Sequence, residues 1–184
     1  MKKLLIITGD LATGKSTFAG LLSKHYETSA FCKDSIKEVL GDAVGFANRE
    51  ENKKLSCATV ALMCHIFEQT AILGKNLILE ANFHTNELEK LHQIAKENGY
   101  DVLTVILRGD VEVLHQRYLN RMQNENRHPV HLSTTFDVFE DFCEYIENSR
   151  NEAILGEVLI INANDFEYQT DKAIWDFLDA FYCE

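Results

Sequence analysis

Leu4-Leu5-Ile6-Ile7-Thr8-Gly9-Asp10-Leu11-Ala12-Thr13-Gly14-Lys15-Ser16-Thr17 is the stretch on which the fold turns. Four apolar residues closed by Gly9 read as a buried strand. The next eight residues, Gly9 to Ser16, fit G-x-x-x-x-G-K-[ST] in full. Each constrained position has a physical task. Gly9 and Gly14 permit backbone conformations that a Cβ obstructs, so that successive N–H groups, through Asp10, Leu11, Ala12 and Thr13, can point inward around a phosphate. Lys15 adds a mobile cation, and Ser16 offers a hydroxyl oxygen of the kind Mg²⁺ prefers. A helix opening at Thr17 would aim its positive end at the same anion.

Working outward, short apolar runs alternate with amphipathic stretches. Strands are expected at 4–7, 30–32, 76–81, 102–107 and 158–161. Helices are expected at 17–26, 35–40, 50–73, 86–97, 111–122, 136–150 and 172–181, with Gly74 and Gly99 closing two of them. Strands that are continuous apolar runs, separated by helices, imply a parallel sheet covered on both faces. The fold class is therefore α/β, three layers around five parallel strands, and 184 residues suit one domain spanning 1–184. The polar stretch 123–131 breaks the pattern and reads as a loop able to move.

Composition narrows the partners. A net charge of −11 gains nothing from counterion release on a nucleic-acid backbone, so nucleic acid is an unfavoured partner. Five cysteines, Cys32, Cys57, Cys64, Cys143 and Cys183, form no C-x-x-C pair and are odd in number. They read as free thiols in a reducing, cytoplasmic setting, with Cys57 and Cys64 sharing a core-facing helix side. No apolar run suggests a leader or a membrane span.

The stretch from Leu4 through Thr17 resembles the nucleoside-monophosphate-kinase-like branch of P-loop proteins. Within it, the chain is most similar to the small kinases typified by zeta toxin, chloramphenicol phosphotransferase and the polynucleotide kinase domain. The resemblance implies a P-loop fold with a helical lid, here about 117–135, and ATP with Mg²⁺ held by residues 9–17. It implies a catalytic aspartate just after the second strand, which is Asp34 in Cys32-Lys33-Asp34-Ser35; a caplike role at a helix starting near Ser35 is the alternative. An acid ending the third strand, Glu80, stands where the family usually has Asp, and would bear on the metal or the acceptor. Lys37, Asn82 and His84 would line the acceptor side. Arg117, Arg121 and Arg127 match the arginine-bearing lid, with Arg121 also toward the nucleotide; pairs Arg121–Glu125 and Arg117–Asp110 are the surface alternative. The implied activity is transfer of a γ-phosphoryl group to a hydroxyl of a small molecule. A nucleic-acid 5′-hydroxyl acceptor and a non-catalytic nucleotide switch remain as other readings.

Overall fold

A computed structural model describes residues 2–132 and 135–183, without the side chain of Cys183. Five strands, β1 (Lys2–Gly9), β2 (Ala30–Cys32), β3 (Leu77–Glu80), β4 (Tyr100–Arg108) and β5 (Glu157–Asn162), form one sheet in the order β2-β3-β1-β4-β5. Every neighbouring pair is parallel. The expected α/β architecture is therefore present.

Strand β1 shows why its sequence is apolar without alternation. Leu4 and Ile6 enter one core with Met63 and Phe67 of α3 (Arg49–Ile72) and Leu88 and Leu91 of α4 (Thr85–Asn98). Leu5 and Ile7 enter the opposite core with Phe18 and Leu22 of α1 (Lys15–His25) and Leu178 of α7 (Lys172–Cys183). Both faces are thus buried, as period-2 side-chain geometry requires of a central parallel strand. A smaller cluster joins Leu114 and Tyr118 of α5 (Val111–Asn124) to Phe142 and Ile146 of α6 (Phe139–Arg150), with Ala12 of the first loop beneath them.

Some boundaries differ from the sequence reading. The second helix, α2, runs Lys33–Val44, longer at both ends than 35–40. Helix α6 starts at Phe139 rather than 136. Gly74 (φ 62°) and Gly99 (φ 68°) do close their helices in the left-handed conformation. Cys57 is exposed whereas Cys64 is buried. Seven residues on a helix drift by roughly 20°, enough to carry Cys57 off the rim of the buried arc. Helix α3 is the one described helix long and apolar enough to cross a membrane, with a mean hydropathy of 1.3. Its Val60, Met63 and Phe67 are packed into the sheet core.

Because all five strands run one way, their carboxyl ends share an edge. The loop after β1, the start of α2 after β2, Glu80 at the end of β3 and the loop after β5 all converge there, where open α/β sheets bind ligands.

Candidate active site

The converging loops enclose one cleft of about 990 Å³. Its floor is the turn from β1 to α1. Gly9 has φ 122°, and a Cβ there would collide with the Leu107 carbonyl of β4. Gly14 has φ 86°, and a Cβ would lie 2.8 Å from the Tyr168 hydroxyl. Both glycines are thus demanded by conformation and by space. Ala12 also adopts positive φ, 65°, at a cost of about 1 kcal/mol for a residue with a Cβ.

The turn leaves its helix start open. Helix α1 has no side-chain cap and no acid in its first turn, unlike α3, where Asn48 accepts from the Glu51 N–H. Among the described residues, none of the N–H groups of residues 11–17 donates to a protein acceptor. Seven donors left this way at a helix start fit a polyphosphate, and Gly9 and Gly14 keep the approach clear. Lys15, only 8% exposed, donates from Nζ to the Asp10 carbonyl at 2.6 Å. Burial pulls its pKa below the ordinary lysine value, against the opposing charges of Glu80, Asp34 and Asp10. A phosphate arriving here would restore the charge that burial disfavours.

Beside it, Ser16 Oγ donates to Glu80 Oε2 at 2.8 Å. Burial pushes the Glu80 carboxyl upward, while Lys15 and the Ser16 hydrogen bond pull it back. The thiol of Cys32, which ends β2 opposite Glu80, bonds to the same carboxylate and is itself pushed up to about 12 by burial and that charge. Ser16 and Glu80 form a pair of hard oxygen donors that suits Mg²⁺, an ion ordinarily held by few side chains with phosphate and water completing the octahedron. No cluster of three metal-ligating acids, histidines or cysteines occurs among the described residues.

Asp34 is not a helix cap. The N-cap of α2 is Cys32, and Asp34 lies in the first turn with its side chain 61% exposed at the wall of the cleft. Lys37, one turn on, also lines the cleft; its Nζ donates to the Val130 carbonyl at 3.3 Å, and burial lowers its pKa. Also lining the cleft, Asn82 Nδ2 donates to Tyr145 Oη at 3.1 Å, leaving Asn82 Oδ1 buried without a partner among the described residues. His84 caps α4 and lies 2.7 Å from Glu152 Oε1, so its ring is engaged in a pair as well as lining the cleft.

The arginines separate into different environments. Arg117 does not pair with Asp110. It donates to the carbonyls of Ala163 (2.6 Å) and Asn164 (2.5 Å) and stacks 4.4 Å over Phe166. With two donor groups engaged by the loop after β5, it lines the wall of the cleft beside Phe166. Arg121 meets Glu125 at 3.3 Å on the surface, a pair worth a few tenths of a kcal/mol that an anion can displace. Arg127 lines the cleft without an ion pair among the described residues. The stretch 117–135 is helix to Asn124 and then a 3-10 turn, Pro129–His131; positions 133–134 lie outside the described residues.

Two cradle positions turn away. Thr13 is fully buried, its hydroxyl donating to the Asp10 carbonyl at 2.8 Å. Asp10, expected among the inward amides, is committed elsewhere: its N–H donates to the Leu107 carbonyl at 2.8 Å, and its carbonyl accepts from Thr13 and Lys15. Its carboxylate is 1% exposed and receives Arg150 Nη2 at 2.5 Å and Arg150 Nε at 3.1 Å, with the Gly109 N–H at 3.2 Å. Arg150 had no signal in the sequence: it sits 140 residues away, at the end of a helix with no motif.

A protein-family profile described as Zeta toxin matches residues 1–173. The chain belongs to the zeta toxin family. Solved structures agree on the fold of this zeta-toxin-family chain. A Chloroflexus aurantiacus protein, itself assigned as a kinase only provisionally, is 24% identical with a TM-score of 0.80, over 97% of each chain. A shikimate kinase from Bacteroides thetaiotaomicron is 14% identical, with a TM-score of 0.63 over 98% of each. An APS kinase from Mycobacterium tuberculosis, solved with AMPPNP and APS, is 13% identical, with a TM-score of 0.60 over 96% of this chain and 97% of its own. No curated protein sequence matches significantly. The P-loop kinase-like fold expected from the first motif is the fold of these neighbours.

Proposed function

We propose that this chain is an ATP-dependent phosphotransferase that moves the γ-phosphoryl group to a hydroxyl of a small molecule. One observation carries the reading: a single cleft is lined by the uncapped phosphate cradle, by the exposed carboxylate of Asp34, whose charge bears on Lys15 of the cradle, and by Arg117, Arg121 and Arg127. The APS kinase neighbour, solved with AMPPNP and APS, supports ATP as the donor.

In this reading the amides of residues 11–17 and Lys15 grip the β- and γ-phosphates. Phosphoryl transfer is catalysed mainly by placement and charge neutralisation. Ser16 and Glu80 would hold Mg²⁺, which when bound offsets negative charge on the triphosphate tail. Arg127 and Arg121 face the same region and stabilise charge on the transferring group. Arg117 with Phe166 forms a flat cationic-aromatic surface against which a nucleotide base can lie. Asp34 accepts the proton of the acceptor hydroxyl as the new P–O bond forms. Lys37, Asn82 and His84 would contact the acceptor, and the buried orphan oxygen of Asn82 suits a hydroxyl donor. The charge of −11 speaks against a nucleic-acid acceptor, and the free thiols suit a cytoplasmic location.

The test is ATP consumption with and without a panel of hydroxylated small molecules, in the wild type and in Asp34→Asn. Acceptor-stimulated turnover that Asp34→Asn lowers by about a hundredfold or more is expected. Acceptor-independent hydrolysis untouched by Asp34→Asn would instead identify a nucleotide switch.

A further inference from the structure

Arg127 stands on a span with no regular structure, between the end of α5 at Asn124 and the 3-10 turn Pro129–His131. It lines the cleft, and no ion pair holds it among the described residues. Its placement therefore depends on how the two ends of the span are fixed. One end is α5, packed through Leu114 and Tyr118. The other is Val130, 1% exposed. Val130 sits on Gly41 inside α2, where an added Cβ would collide with Val130 Cγ1 and lie 3.5 Å from His128 Cε1. Gly41 is not one of the glycines with positive φ. Its backbone suits any residue, so it is the seat for Val130 that demands glycine.

The main chain is fastened at the same point. The Val130 carbonyl accepts from Asn52 Nδ2 of α3 at 2.8 Å and from Lys37 Nζ of α2 at 3.3 Å. On either side, His128 Nε2 lies 2.9 Å from Asp42 Oδ1 and His131 Nε2 lies 2.8 Å from Glu38 Oε1, both acids on α2. Pro129 opens the turn with its φ already restricted.

We propose that Val130 is a positioning residue for Arg127: seated on Gly41, it anchors the span after α5 so that Arg127 faces the γ-phosphate of a nucleotide in the cradle. The proposal rests on the role given to Arg127 above. A guanidinium neutralises phosphoryl charge effectively only when it is held in place beforehand. Three residues reach at most about 10 Å, so a seated Val130 confines the Arg127 backbone and an unseated one releases it. Gly41→Ala separates the anchor from the helix that carries it. Alanine is the better helix former, so α2 itself is favoured, whereas Val130, stiff at χ1, must leave its seat.

The experiment measures the affinities of Mg-AMPPNP and Mg-ADP by calorimetry and takes their ratio, since only the first carries a γ-phosphoryl group. Arg127→Ala is expected to reduce the preference for AMPPNP by about tenfold, the size of one charge-assisted contact. Gly41→Ala should reduce it by about threefold or more while leaving ADP binding within about twofold. In the Arg127→Ala background, Gly41→Ala should add less than about twofold, because both changes act through one guanidinium. Gly41→Ala/Val130→Ala removes the colliding methyl and should recover at least half of the lost preference on a logarithmic scale. Should Gly41→Ala fail to fold, Val130→Ala alone takes its place, with a smaller loss in the same direction. A preference unchanged in folded Gly41→Ala overturns the proposal, and so does an equal loss with and without Arg127. A structural plug would lower the melting temperature but leave the ratio of the two affinities in place. If Arg127→Ala itself leaves the ratio unchanged, the role of Arg127 falls and the anchor's role with it, while the cradle and Asp34 keep theirs. If neither nucleotide binds the wild type, the phosphotransferase reading fails as a whole.

Discussion

Replacing Arg150 by Met removes the cation that neutralises Asp10, and the structure sets the size of the effect. Asp10 is 1% exposed and would keep only the Gly109 N–H among its present partners, while Arg150 is 32% exposed. Breaking a buried pair by deleting one member costs about 3–5 kcal/mol, since an uncompensated charge stays behind. Partial exposure of the arginine places this pair at the low end, about 3 kcal/mol. In a chain of this size that is a fall of roughly 6–12 °C in Tm. Asp10→Asn should cost less, about 1 kcal/mol, because a one-third exposed arginine can turn to water. The double variant removes both the charge and its stranded partner, and should recover about half or more of the Arg150→Met loss. Arg150 Nη2 also donates to the Gly109 carbonyl at 2.6 Å, so the pair ties the first loop to the end of β4. The cradle should therefore loosen, and Mg-ATP should stabilise Arg150→Met less than it stabilises the wild type. Urea melts with and without Mg-ATP measure both effects. A loss under about 1 kcal/mol, or a double variant no better than Arg150→Met, would refute the account of this pair as the support of the phosphate loop.

Three further outcomes follow from the same site. Burial raises the Glu80 pKa in the folded state, so its contribution is favourable at low pH and is lost as pH rises through the folded value; Glu80→Gln should thus stabilise the ligand-free protein at pH 7 by about 0.5–2 kcal/mol in thermal melts while weakening the Mg²⁺ dependence of nucleotide binding. Glu152 is held down to about 2 by the Thr85 hydroxyl, His84 and the Thr85 N–H, so the stability it lends at neutral pH should fade as pH drops from about 4.5 toward 2, by about 1 kcal/mol at this solvent-screened site; Glu152→Gln should flatten that part of an acid-unfolding curve. With its thiol pushed up to about 12, Cys32 should resist alkylation at pH 7.5, whereas exposed Cys57 reacts, and peptide mapping after a short iodoacetamide pulse would show the order.

What could be read from the letters was local. Gly9 and Gly14 are required by the backbone of one turn, and the apolar run of β1 by burial on both faces; neither depends on a distant residue's identity. The sheet's parallel order then carries Asp34 and Glu80 to the cradle because each follows or ends a strand. The side-chain contacts that the letters did not reveal each involve a partner chosen by tertiary packing. Arg117 finds two carbonyls after β5 in place of Asp110, since α5 packs beside that loop. Asp10 finds Arg150 because α6 ends over the first turn, and His131 finds Glu38 because Val130 is seated on Gly41. The motif constrains only those positions that touch phosphate or bend the chain, and leaves four letters free. Asp10 is the first of them, and here it links the first loop to the helix whose Tyr145, Asn148 and Ser149 line the same cleft. A free letter of the motif is thus where this chain ties its first loop to a distant helix of the cleft wall. Such a letter becomes legible only when the distant partner is known.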